Sequence, residues 1–175
     1  MKIEDAYRSA IVAGGNAINF AMGLIEGALR RDPEDYMALM YKGGLLTIIG
    51  DVAMEAPKKA TYQQTGVSLM QRALDASPAD SRIQAKLQYV YATTLAMLPQ
   101  AFEFDQTAYD TLHKLVARPS FATFEKLEFV RSTTLLACLA EQFGYVAEAK
   151  TQFSAARRVD QDLAIETYDV WLNRG

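Results

Sequence analysis

The chain has 175 residues, half of them apolar and 22% charged, with a net charge of −3. That is enough length for one domain with a sizeable core and an ordinary globular composition, and it excludes broad nucleic-acid binding, which needs clustered Lys and Arg. The single cysteine, Cys138, has no partner for an intramolecular disulfide, which suits a reducing compartment, so a cytoplasmic location is expected.

Helical periodicity is nearly continuous and strand signals are absent, so the predicted fold class is all-α. Helices are predicted over 3–13, 16–31, 34–49, 61–76, 79–98, 105–117, 121–142, 145–158 and 162–173. Ser9 to Ile25 carries no charge, but Gly14, Gly15, Asn16 and Asn19 interrupt it. Glu4, Asp5 and Arg8 also stand where a signal peptide would begin. The stretch reads as a helix hairpin turning at Gly14-Gly15-Asn16, and no membrane association is expected.

Asp32-Pro33-Glu34 supplies an N-cap acid, a Pro at the first helical position and an acid suited to the helix dipole. Ser77-Pro78-Ala79-Asp80 repeats the arrangement, and Ser120 and Asp160 are predicted caps of the same kind. Residues 50–60 and 99–105 are left as long connections. Gly144 is predicted to end one helix in a left-handed conformation and let Tyr145 start its antiparallel partner. In helix 145–158 the apolar face is Val146, Ala149, Phe153, Ala156 and Val159.

A phrase recurs along the chain. Ala21 to Pro33, Gly66 to Pro78 and Ala149 to Gln161 each carry small residues on one helix face and close on an acid or Ser followed by Pro or Gln. Self-similarity at such spacing points to stacked helical hairpins. The markers Pro33, Pro78, Pro119 and Gln161 lie 45, 41 and 42 residues apart.

On these residues the chain resembles the tetratricopeptide repeat (TPR) family, whose unit is about 34 residues. The best unit runs from about Val130 to Leu163, with Leu136-Ala137 at the first-helix pair, Gly144 and Tyr145 at the turn, and Ala149, Phe153 and Ala156 in the second helix. The resemblance implies a right-handed α-solenoid forming a single domain over 1–175. Its four hairpin units would cover about 2–35, 36–80 (with an insertion at 50–60), 81–119 and 120–161, followed by a capping helix at 162–173.

The resemblance also implies binding through a concave face lined by the first helix of each hairpin. Carried over, that face holds Met37, Met40, Gly44 and Thr47, then Arg82, Ala85, Tyr89 and Ala92, then Arg131, Thr134, Cys138 and Glu141. Arg82 and Arg131 are the expected anchors, because a guanidinium fork holds a carboxylate bidentately. Tyr89 adds an amphipathic contact.

Little else carries chemistry. His113, the one histidine, lies three residues after Asp110, and two ligands do not make a metal site. No phosphate-binding glycine loop or nucleophile elbow is present. The expected function is therefore a non-catalytic scaffold or adaptor for a protein or peptide, without cofactor or metal. Two other readings stay open: an effector-sensing or regulatory domain of a larger regulator, and a small helical enzyme with a site near Asp110 and His113. Trp171 and Leu172 either cap the array or bury against a second copy, so a homodimer through the last helix is a further expectation.

Overall fold

The computed structural model describes residues 2–79, 81–99 and 103–174, and among them it contains no strand. Nine α-helices follow the predicted order: α1 (Ile3–Ala13), α2 (Gly15–Arg31), α3 (Tyr36–Asp51), α4 (Ala56–Ala76), α5 (Arg82–Met97), α6 (Asp105–Val116), α7 (Lys126–Gln142), α8 (Val146–Val159) and α9 (Gln161–Leu172). Asp80 and residues 100–102, which the sequence reading assigned to a helix start and a connection, lie outside the described residues.

The insertion expected at 50–60 is absorbed by its neighbours. α3 runs on to Asp51 and α4 starts at Ala56, with Pro57 in its first turn, where the missing N–H costs nothing. An ion pair of 3.3 Å between Lys59 and Asp51 closes the short connection at 52–55.

Three caps fall later than the sequence suggested. Asp35, not Asp32, caps α3, accepting the N–H groups of Met37 and Ala38 at 3.0 Å. Ser81, not Ser77, caps α5 by accepting the N–H of Gln84 at 2.9 Å. Glu125, not Ser120, caps α7 in a capping box, and its own N–H donates to Glu128 Oε2 at 3.2 Å. At two of the three the reason is shared. Pro33 and Pro119 each take the first position of a separate turn, at Pro119–Thr123 a 3-10 turn, and the helix begins only afterwards. Asp160 does cap α9, accepting the N–H of Leu163 at 3.0 Å. A hydrogen bond from Lys126, 2.6 Å away, is the main cause holding its carboxyl below the usual range.

The chain divides into two compact units, Met1–Ala79 and Asp80–Gly175. In the first, Gly14 and Gly15 take positive φ of 62° and 46°, which turns α1 into α2 as the Gly-Gly-Asn signal predicts. α3 is apolar on all sides because α1, α2 and α4 all pack against it. Tyr7 and Tyr41 join α1 to α3 with ring centroids 4.7 Å apart. α3 and α4 run antiparallel and meet at Gly43 and Gly66, where a Cβ on either would lie 2.5 Å from the other's carbonyl oxygen. Arg72 of α4 ties this hairpin to Glu34 in the turn before α3.

In the second unit α7 is the central helix and packs against α5, α6, α8 and α9. Residues 132–140 are all buried. The predicted turn at Gly144 is present, with φ at 81° and the Tyr145 N–H donating to Ala140 O at 2.8 Å. Two apolar clusters fill one end of the unit. One joins Ala85, Leu115 and Phe121; the other joins Val130, Ala156 and Ala164, and Phe129 packs against both. Of the predicted α8 face, Ala149 and Ala156 are buried, whereas Val146 and Val159 at its ends are exposed.

Candidate interaction surface

Within the second unit α5 and α7 point the same way. Ala85 near the start of α5 shares a cluster with Phe129 near the start of α7, while Ala96 and Gln142 at their far ends share Arg174 as a partner. Arg82, exposed, is the first residue of α5, and Arg131, half-buried, lies in the second turn of the adjacent parallel helix α7.

Part of the carried-over face is closed. Thr134 and Cys138 are buried because α7 is surrounded by four helices, so they are packing residues and not groove walls. Burial pushes the Cys138 thiol up to about 12, which leaves it protonated and inert. Tyr89 stands edge-on to Phe124, ring centroids 6.3 Å apart, and serves the apolar cluster at that end. Glu141 is exposed and accepts a hydrogen bond from the Tyr168 hydroxyl at 3.4 Å. Met37 and Met40 lie in the first unit; Met37 is half-buried, and Met40 is fully buried between α3 and its neighbours.

The single histidine has a different carboxylate neighbour from the one its spacing suggested. Asp110 accepts a hydrogen bond from Gln106 at 2.9 Å, one turn back on α6. His113 Nε2 instead lies 3.5 Å from Glu148 Oε1 on α8. The other oxygen of Glu148 accepts the Tyr109 hydroxyl at 2.6 Å. Tyr109 is the hub of an aromatic group, with centroids 5.8 Å from His113, 5.6 Å from Phe143 and 5.5 Å from Tyr145. Its phenol is raised to about 12, first by burial, then by the hydrogen bond to Glu148 and by the nearby charges of Glu148, Tyr145 and Asp110. Tyr109 and His113 are one turn apart on α6, a signal visible in the sequence; Glu148 and Tyr145 come from the next hairpin and carry none.

Among the described residues no group of three or more His, Cys, Asp and Glu side chains is placed to hold a metal ion, and no helix is long and apolar enough to cross a membrane. No protein-family model, curated protein or solved structure matches the chain. The tetratricopeptide resemblance thus stands on the residues themselves.

Proposed function

We propose that the chain is a non-catalytic interaction module, built from TPR-like hairpins, that binds a protein or peptide segment and uses Arg82 and Arg131 to hold a carboxylate of it. The observation that supports this reading is that Arg82 opens α5 and Arg131 lies in the second turn of α7, on parallel, adjacent helices. A fork from each can then meet one acidic segment. The burial of Thr134 and Cys138 limits the contact to the rim of the unit and favours a short acidic stretch over a long inserted peptide. The sequestered thiol of Cys138 supports the non-catalytic part, and its lack of a partner cysteine supports action in the cytoplasm, which cell fractionation checks.

The test is a fluorescence-anisotropy titration with a labelled library of acidic peptides. The comparison is wild type against an Arg82→Ala/Arg131→Ala double variant of equal thermal stability. Loss of two charge-assisted contacts, each worth about 1.5–3 kcal/mol, weakens binding at least about tenfold. Equal affinity of the two proteins overturns the reading.

A second reading, self-association through α9, is favoured by Ile165 and Leu172. They lie two turns apart on one face and are both exposed, whereas Trp171 is buried within its own unit. Light scattering across micromolar concentrations tests it; a monomeric mass throughout removes it.

A further inference from the structure

The face built by Tyr109 and His113 of α6 with Tyr145 and Glu148 of the α7–α8 hairpin has a composition of its own. Three rings crowd around Tyr109 at 5.5–5.8 Å, and a carboxylate is set among them. Glu148 and Asp110 both raise the Tyr109 phenol, and His113 lies 3.5 Å from Glu148 on the same face. The face is open: Tyr145 is 51% and Val146 52% exposed, and the His113 side chain is 57% exposed beside Glu148 at 24%. The anchoring hydrogen bond to Tyr109 fixes Glu148, so its direction is set before any partner arrives.

We propose that this face is a docking site for a basic segment of a partner protein and takes an arginine side chain. Charge complementarity names the occupant. Aromatic faces attract cations through their quadrupoles, and a fixed carboxylate between them adds a directed charge. An acidic partner is repelled, and a purely apolar one strands Glu148 without water. Arginine fits better than lysine, since a planar guanidinium stacks on Tyr145 while its fork reaches Glu148 Oε1, whose present neighbour His113 is a longer 3.5 Å away. Val146 supplies the adjoining apolar contact for the arginine stem. This surface lies on α6 and α8 and is distinct from the ends of α5 and α7 that carry Arg82 and Arg131, and it selects the opposite charge.

The experiment is an NMR titration of the full chain with two blocked pentapeptides. One carries two arginines; the other carries two citrullines, which keep the shape and remove the charge. With the arginine peptide, signals of Tyr109, His113 and Tyr145 shift and saturate. The citrulline peptide binds at least about tenfold more weakly. Glu148→Gln and, separately, the exposed-site variant Tyr145→Ala each weaken the arginine peptide at least about fivefold, whereas Glu166→Gln on α9 leaves it unchanged. Tyr145→Ala keeps the test valid if Glu148→Gln perturbs folding. Equal response to the two peptides, or shifts that map away from these residues, overturns the proposal. Concentration-dependent shifts of the same residues without peptide also overturn it, because a second copy would then be supplying the cation.

Discussion

Arg174 Nη2 lies 2.8 Å from Asp105 Oδ2, joining the residues after α9 to the first turn of α6. Both side chains are largely buried, at 4% and 12% exposure. The pair is well supported. Gln142 donates to the same carboxylate oxygen at 2.8 Å, Arg174 also donates to Ala96 O, and its guanidinium sits 4.4 Å from the centre of the Trp171 ring. Three helix ends are thereby tied to one cation. Removing either partner leaves the other charge buried and alone, so Arg174→Ala and Asp105→Ala should each cost about 3–5 kcal/mol. The double variant should cost less than their sum, because one shared interaction is lost once. Trp171 is the only tryptophan in the chain, so its fluorescence during urea unfolding reports on this corner directly. Single-variant losses below about 1 kcal/mol would show that the network does not hold the unit together.

Gly43 and Gly66 make a second, sharper prediction. A Cβ at Gly43 would lie 2.5 Å from the Gly66 carbonyl oxygen and 2.5 Å from Met70 Cγ. Met70 can turn aside, but the backbone of α4 cannot move without separating the two helices. Gly43→Ala and Gly66→Ala should each destabilise the first unit by about 2 kcal/mol or more, in the range of overpacked cores. Gly23, on the exposed side of α2, has nothing within 4 Å of such a Cβ. There Gly→Ala should stabilise by about 0.5–1 kcal/mol through helix propensity alone. Thermal melts of the three variants settle it; a melting temperature unchanged in Gly43→Ala would mean that the helices are not in backbone contact.

These two cases show where sequence reading works and where it stops. The helices were legible because apolar residues at i, i+3 and i+4 report one buried face, and the Gly14-Gly15 and Gly144 turns were legible because they need positive φ. The caps at Asp35 and Glu125 were missed for a local reason: Pro33 and Pro119 each open a separate turn before the helix begins. The close crossing of Gly43 over Gly66 was out of reach, since nothing local says which glycines face each other. The same holds for the candidate sites. Spacing on α6 marks Asp110 as a neighbour of His113, yet packing of α8 brings Glu148 instead. Met40 and Thr134 occupy groove positions in the repeat pattern, but each sits on the helix that its own unit wraps most completely.

Cys138 and Tyr109 predict alkaline instability. Both groups are neutral when protonated, and both hold the proton more tightly folded than free: Cys138 goes from 9.0 to about 12 and Tyr109 from 10.0 to about 12. The unfolded chain therefore releases these protons first. Their contribution to stability is complete below pH 9 and is lost as pH rises toward 12. For Cys138 alone the slope reaches about 1.4 kcal/mol per pH unit in that window. The urea midpoint should thus fall between about pH 8.5 and pH 11, and fall less steeply in Cys138→Ala. In the same range the native thiol should resist alkylation until denaturant is added. Rapid alkylation of the folded protein would contradict its burial.

Gln63 is fully buried on α4, and among the described residues neither its amide nitrogen nor its amide oxygen has a hydrogen-bond partner. It faces α3, where a Cβ on Gly50 would come within 2.9 Å of its Cγ. Thr47 on the same helix shows the contrast, since its hydroxyl is satisfied by Gly44 O at 2.8 Å. An amide that gives up water and gains nothing carries a desolvation cost of about 1–3 kcal/mol. Gln63→Met keeps the length of the side chain and removes that cost, so it should raise the unfolding free energy by about 1–2 kcal/mol. Gln63→Ala removes the cost as well but opens a cavity beside Gly50, and it should lower stability. The opposite signs separate the polar effect from the packing effect. If both substitutions destabilise by similar amounts, the carboxamide of Gln63 is contributing hydrogen bonds in solution and the prediction is wrong.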